Sequence, residues 1–206
     1  MNIAEAAAAP VAHPVPYKRN GKPGKISIQT FLEKYSQRED GYKYEYEDGY
    51  VIQSNYYAMT DPQQHIANNL TDFFYSLKFQ AKVQGNLASE KDTWLTESKW
   101  RRPDMCYMSP LHVYQSSHGK RPRPDFVIEM VSPSDTAEYY DTKLDAYFNA
   151  GVKVVWLIYP QTEKVVIYHE DRSSVTRQGD AICSAAPVLP EFALPAGAIF
   201  KKPLKP

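Results

Sequence analysis

RRPDMCYM at residues 101–108 and RPDFVIEMVSPSD at 123–135 are the two runs on which the reading of this chain turns. Each carries a Pro-Asp entry into a short apolar stretch, which reads as a strand bounded by a turn. Alternate side chains of a strand share a face, so Asp125, Val127, Glu129 and Val131 point one way and Phe126, Ile128 and Met130 the other. Glu129 therefore sits in a mostly apolar strand, where an acid is costly unless paired or bound to a cation. Asp104 follows Pro103, and if the two strands are neighbours its carboxylate lies beside that of Glu129. Two such groups suit Mg²⁺ or Mn²⁺, hard ions held by one or two carboxylates with water and phosphate completing the shell. Asp125 lies four residues before Glu129, roughly 13 Å along a strand, too far to share one ion. It reads as a strand-entry acid.

Outward from these strands, SPSDTAEYYDTKLDAYFNAG at 132–151 is a helical segment opened by capping residues, Ser134 and Asp135, and closed by Gly151. Tyr140, Leu144, Tyr147 and Phe148 share its apolar face. KVVWLIYP at 153–160 and KVVIYH at 164–169 are two further strands joined by a turn over Pro160 to Glu163. The segment between the Pro-Asp strands, with Pro110, His118 and Gly119, reads as a polar loop, and the tail from Pro187 to Phe200 as a loop packed on the domain. Upstream, Asp48-Gly49 between two aromatic runs is a hairpin signal, with strands at 42–46 and 50–54. Asp61-Pro62 opens a long helix with Ile66, Leu70, Phe73, Phe74 and Leu77 on one face, and a brief helix fits Ile28 to Tyr35. Val83 to Leu95 is irregular and strand-like, broken at Gly85 and Asn86. The order predicts an α/β fold, a mixed sheet flanked by helices, with an N-terminal β-hairpin. Residues 1–25, rich in Ala, Pro and Lys, predict a disordered arm ahead of a single domain over 26–206.

Composition narrows the function. Lys+Arg 24 balance Asp+Glu 24, so no global field draws the chain to nucleic acid or an acidic membrane. Contact with nucleic acid then needs a local patch. Lys99, Arg101, Arg102, Lys120, Arg121 and Arg123 flank both acidic strands and could neutralise backbone phosphates; a solvated loop face is the equal alternative. Cys106 and Cys183 lack zinc spacing and suit a reducing compartment, and the first residues lack a signal-type apolar core, so a cytoplasmic location is expected. No window approaches a membrane span.

RRPDMCYM, RPDFVIEMVSPSD and KLDAYFNAGVKVVWLIYP, taken in order with YEYEDGYVI and LPEFALPAGAIF, resemble the Uma2 family of restriction-endonuclease-like proteins over roughly residues 42 to 200. That family belongs to the PD-(D/E)xK nuclease superfamily. The resemblance implies a restriction-endonuclease-like fold and a metal held by Asp104 and Glu129. Val131 stands where the superfamily's lysine is expected, and the resemblance gives that role to Lys143 on the following helix. On its own spacing Lys143 lies at the edge of the apolar stripe, as a surface lysine with a buried stem also would. Glu45, in the hairpin, and His65, early in the long helix, are supporting candidates that can equally be structural.

The expected function is metal-assisted endonuclease cleavage of phosphodiesters, with DNA the expected substrate and a homodimer fitted to duplex symmetry. A silent nucleic-acid- or protein-binding module on the same fold is the alternative. A hydrolase of small phosphodiesters is a third reading.

Overall fold

The computed structural model describes residues 15–16, 18–19, 22–55, 61–133 and 135–203. The elements run β1 (Val15–Pro16), β2 (Lys18–Arg19), β3 (Lys22–Pro23), α1 (Ile28–Lys34), β4 (Tyr42–Glu47), β5 (Tyr50–Asn55), α2 (Asp61–Phe79), β6 (Asn86–Ser89), β7 (Thr93–Thr96) and β8 (Lys99–Arg101). They continue with β9 (Met105–Met108), α3 (Pro110–Ser117), β10 (Phe126–Met130), α4 (Ala137–Asn149), β11 (Val154–Tyr159), β12 (Lys164–His169), β13 (Ser174–Gln178), β14 (Ile182–Ala185), β15 (Leu189–Pro195) and α5 (Ala196–Ile199).

Every residue of β9 and β10 is buried, so these strands lie inside a sheet covered on both faces. The larger sheet has the order β13-β12-β11-β10-β9-β6, and only the β10–β11 pairing is parallel. α4 supplies that crossover, as a parallel pair requires. Phe126, Ile128 and Met130 face α2, β15 and α5, while Val127 faces the apolar stripe of α4 through Tyr140, Leu144 and Tyr147. Each fully buried large apolar side chain is worth about 1.5–3 kcal/mol. The alternation read from FVIEM is therefore what puts Glu129 on the α4 side.

The hairpin is built as its sequence predicts, with Asp48 and Gly49 both at positive φ (49° and 98°), the backbone of a tight two-residue turn. It belongs to a second sheet of order β1-β5-β4-β8-β7, in which α1 packs Phe31 against Tyr46 and Trp100. β4 is thus central in its sheet, with both faces covered. Val15–Pro16 pairs with Gln53 and Ile52, and the first fourteen residues of the expected arm lie outside the described residues.

Three local expectations are corrected. The segment after β9 is not wholly loop: Ser109 caps Pro110–Ser117, its hydroxyl accepting from His112 N, and proline at N1 starts the helix. α4 is capped by Thr136, whose hydroxyl accepts from Tyr139 N; Asp135 instead accepts from Ser132 N and Tyr140 OH, and Ser134 lies outside the described residues. The tail is the β14–β15 hairpin followed by α5, with Phe192 fully buried beside Trp156 and Phe126. Polar composition concealed the helix, and Pro187, Pro190 and Pro195 interrupting a short apolar run concealed the hairpin. At the other end of α4, Gly151 takes φ 91° at C′, where Gly151 N donates to Phe148 O and Val152 N to Tyr147 O. Among the described residues no helix is long and apolar enough to cross a membrane.

Candidate active site

The antiparallel register of β9 and β10 carries Asp104 to the C-terminal end of β10, where its Oδ2 accepts from Met130 N at 2.6 Å. Glu129, next to Met130 on β10, is 1% exposed and turned toward α4. Lys143, two turns into that helix, donates to Glu129 Oε2 at 2.9 Å, and Tyr147, one turn further on, donates to Glu129 Oε1. The i, i+4 spacing of Lys143 and Tyr147 stacks both groups on one helix face. From the other sheet, β4 brings Glu45, whose Oε1 lies 3.7 Å from Lys143 Nζ and accepts from Arg102 N at 3.0 Å. Asp104, Glu129, Lys143 and Glu45 thus meet in one cluster between the two sheets. His65 lies on α2, which covers the opposite face of the larger sheet, and none of the cluster's contacts involves it.

Two members were not singled out from the sequence. Lys43 donates to Asp104 Oδ1 at 3.0 Å and to Glu90 Oε1 at 3.4 Å. Glu90, just past β6, is tied to the same place by its N–H, which donates to Asp104 O. A signal existed in YKYEYE: Lys43, Glu45 and Glu47 alternate with Tyr42, Tyr44 and Tyr46. Such alternation ordinarily marks a solvent face, whereas here Tyr44 and Tyr46 fill the α1 core and the charged face turns inward.

The electrostatics follow from burial. Burial raises the cost of ionising Glu129; Lys143 opposes it, but Asp104 and Glu45 repel, and the carboxyl ends above its ordinary value. An ion pair alone would have lowered it, so the neighbouring acids and the lost hydration outweigh Lys143. Burial acts on Asp104 too, yet Lys43, Lys143 and the Met130 N–H overcome it and hold that carboxyl below its usual range. Glu90 is pushed up to about 7 by burial, against Lys43 and with repulsion from Asp104 and Glu129. Lys143, although burial disfavours its charge, is held protonated by Glu129 and Glu45.

Among the described residues no three His, Cys, Asp or Glu side chains already converge as a cage for a metal ion. The donor chemistry nonetheless fits a hard divalent cation. Asp104 leads into β9 and Glu129 stands on the adjacent β10, and Glu90 Oε2, buried without a hydrogen bond, lies 3.4 Å from the Lys43 Nζ that also holds Asp104. Fewer than three protein carboxylates, with water and phosphate oxygens, satisfy Mg²⁺.

The basic residues divide. Arg101 is 2% exposed and held by Glu47 and, at 3.9 Å, Glu45, so its guanidinium is withdrawn from the surface. Lys99 also pairs with Glu47, and Arg102 bonds Asp92 and Ser36 O. Lys120, Arg121 and Arg123 lie in the connection from α3 to β10.

A solved structure of a putative nuclease belonging to DUF820 from Anabaena variabilis ATCC 29413 is similar over 85% of this chain and 97% of that chain, with TM-score 0.69 and 19% identity. The likeness is one of fold. No curated protein matches the chain. The model of the Uma2 family, described as "Putative restriction endonuclease", matches residues 28–197. That match begins at the first residue of α1, ends inside α5 and takes in every member of the charged cluster, and on that span the chain belongs to the Uma2 family.

Proposed function

We propose that the chain is a divalent-metal-dependent endonuclease that hydrolyses phosphodiester bonds in DNA. The observation that carries this reading is Asp104, at the entry to β9, bonded to Met130 N beside Glu129 of β10, with the buried Lys143 2.9 Å from the buried Glu129. Buried pairs of this kind add little stability, so their presence calls for another reason.

Asp104 and Glu129 are the residues that would hold Mg²⁺ or Mn²⁺, which when bound polarises a phosphate and lowers the pKa of water. Tyr147 fixes the Glu129 carboxylate through one oxygen, and Lys43 fixes Asp104 through one of its own. Lys143 keeps a positive charge where negative charge develops on the reacting phosphate. The missing lysine at Val131 is supplied in this reading from α4, by a side chain that reaches the same carboxylate from the helix instead of the strand.

Incubation of the purified chain with plasmid and single-stranded DNA in Mg²⁺, Mn²⁺ and EDTA tests it. Cleavage dependent on the ions is expected, and Asp104→Asn should abolish both cleavage and any metal-induced rise in Tm. Absence of cleavage with binding retained would favour the silent module, a reading consistent with lysines already neutralising both acids.

A further inference from the structure

On the α4 side of the larger sheet, at the far end of β10 from Asp104, lies a cavity of ≈ 620 Å³ that the charged cluster does not use. Trp94 and Leu95 of β7 and Ile28 of α1 give it an apolar wall. Arg121 stands over the Trp94 indole, its guanidinium carbon 4.2 Å from the ring centroid. A guanidinium held on an indole is a flat cationic surface of the kind on which nucleobases stack. Arg123, also in the wall, is seated against Gly151, where a Cβ would meet its Nη2 at 3.1 Å. Arg123 Nε and His112 Nδ1 are buried without hydrogen-bond partners, polar groups that the fold leaves unpaired next to the cavity wall.

Acceptors share the cavity with these donors, because Glu97 and Asp125 also line it. Two carboxylates against two guanidiniums leave no excess positive charge, which disfavours a bare phosphate as occupant. Donors and acceptors side by side on an aromatic wall match the edge of a base instead. Asp125 shares the face of Glu129 and lies four residues from it, roughly 13 Å along the strand. At the roughly 3.4 Å rise of stacked bases that is at most about four nucleotides from the cluster, and fewer where the strand is unstacked and extended.

We infer that this cavity receives one unstacked nucleobase of the substrate strand, stacked on the Trp94–Arg121 pair and read at its edge by Arg123, His112, Asp125 or Glu97. The inference rests on the nuclease reading above and adds to it a site of base preference away from the reacting phosphate.

Trp94 gives a local reporter, since Trp100 and Trp156 are 1% and 0% exposed. The four homotetrameric oligodeoxynucleotides, with inorganic phosphate as a separate probe, would be titrated in EDTA while tryptophan emission is followed. Arg121 is exposed, so Arg121→Ala and Arg121→Lys should both fold. The wild type is expected to respond to at least one tetramer, unequally among the four. Both variants should weaken that response by about fivefold or more, because lysine keeps the charge and loses the planar platform. A lysine variant equal to wild type, a response to inorganic phosphate matching that to the tetramers, or no response to any tetramer would each overturn the inference. Plasmid cleavage in Mg²⁺ on the same preparation reports the nuclease reading separately: cleavage without a tetramer response removes the base site alone.

Discussion

Lys143 and Asp145 stand two residues apart on α4, about 200° around a helix of 3.6 residues per turn, and each is half of an ion pair. Asp145 meets Arg172 in water, with side chains 65% and 46% exposed. Lys143 meets Glu129 where neither keeps more than 6% of its side-chain surface. The outer pair is screened by solvent and salt and is worth at most about 1 kcal/mol. The inner pair has lost hydration on both partners, and the fold tolerates it only because Tyr147, Glu45 and the second lysine complete the network. One helix thus carries the same chemistry at an incidental site and at a demanding one, and the demanding one is where function is to be sought.

Removing Lys143 breaks that contrast most severely. Lys143→Met is expected to destabilise the fold by about 3 kcal/mol, the low end for orphaning a buried charge, because Glu129 can take up a proton. Cleavage should fall by about a hundredfold or more. Urea unfolding and single-turnover cleavage on one preparation check both, and wild-type turnover would remove Lys143 from the reaction.

Replacing the whole inner pair sharpens the comparison. Lys143→Met with Glu129→Leu should recover stability, from neutral to about 1–4 kcal/mol above the wild type, while remaining inactive. If the double variant is as unstable as Lys143→Met, the network holds the fold together and the functional argument from its cost is lost.

The pH profile gives a smaller effect. Glu90, raised from 4.5 to about 7, holds its proton more tightly in the folded chain than in the unfolded one. Its contribution is therefore fully present below about 4.5 and is lost as the pH rises through about 7. Asp104, held below its ordinary value, acts the other way and only in more acid solution. In EDTA, Tm should drop between pH 5 and pH 8, and Glu90→Gln should flatten the drop. Identical slopes in both proteins would discount Glu90.

Arg172→Ala, at the outer pair, should change stability by less than about 1 kcal/mol and leave cleavage untouched. A loss comparable to that of Lys143→Met would dissolve the distinction between the two sides of α4.

Much of the molecule was legible before its coordinates. β9 and β10, the two faces of FVIEM, the hairpin at Asp48-Gly49 and both long helices rest on local periodicity and turn chemistry, which act over a few residues. The hairpin β14–β15 was not read because its stabilising contacts come from distant segments such as Trp156 and Phe126, and α3 was not because it buries no side chain and so shows no apolar stripe.

For the site, the sequence by itself determined that an acid stands inside an apolar strand, that another opens the strand before it, and that a lysine lies on the following helix. Only the tertiary structure decided that β4 turns its charged face inward, that Lys43 and Glu90 join Asp104, and that Arg101 is spent on Glu47 and Glu45. The reason is physical: periodicity shows which side chains share a face, but whether that face meets water or another charged face depends on the packing of two sheets. The partners that decide it are separated by up to a hundred residues, as Glu45 is from Lys143.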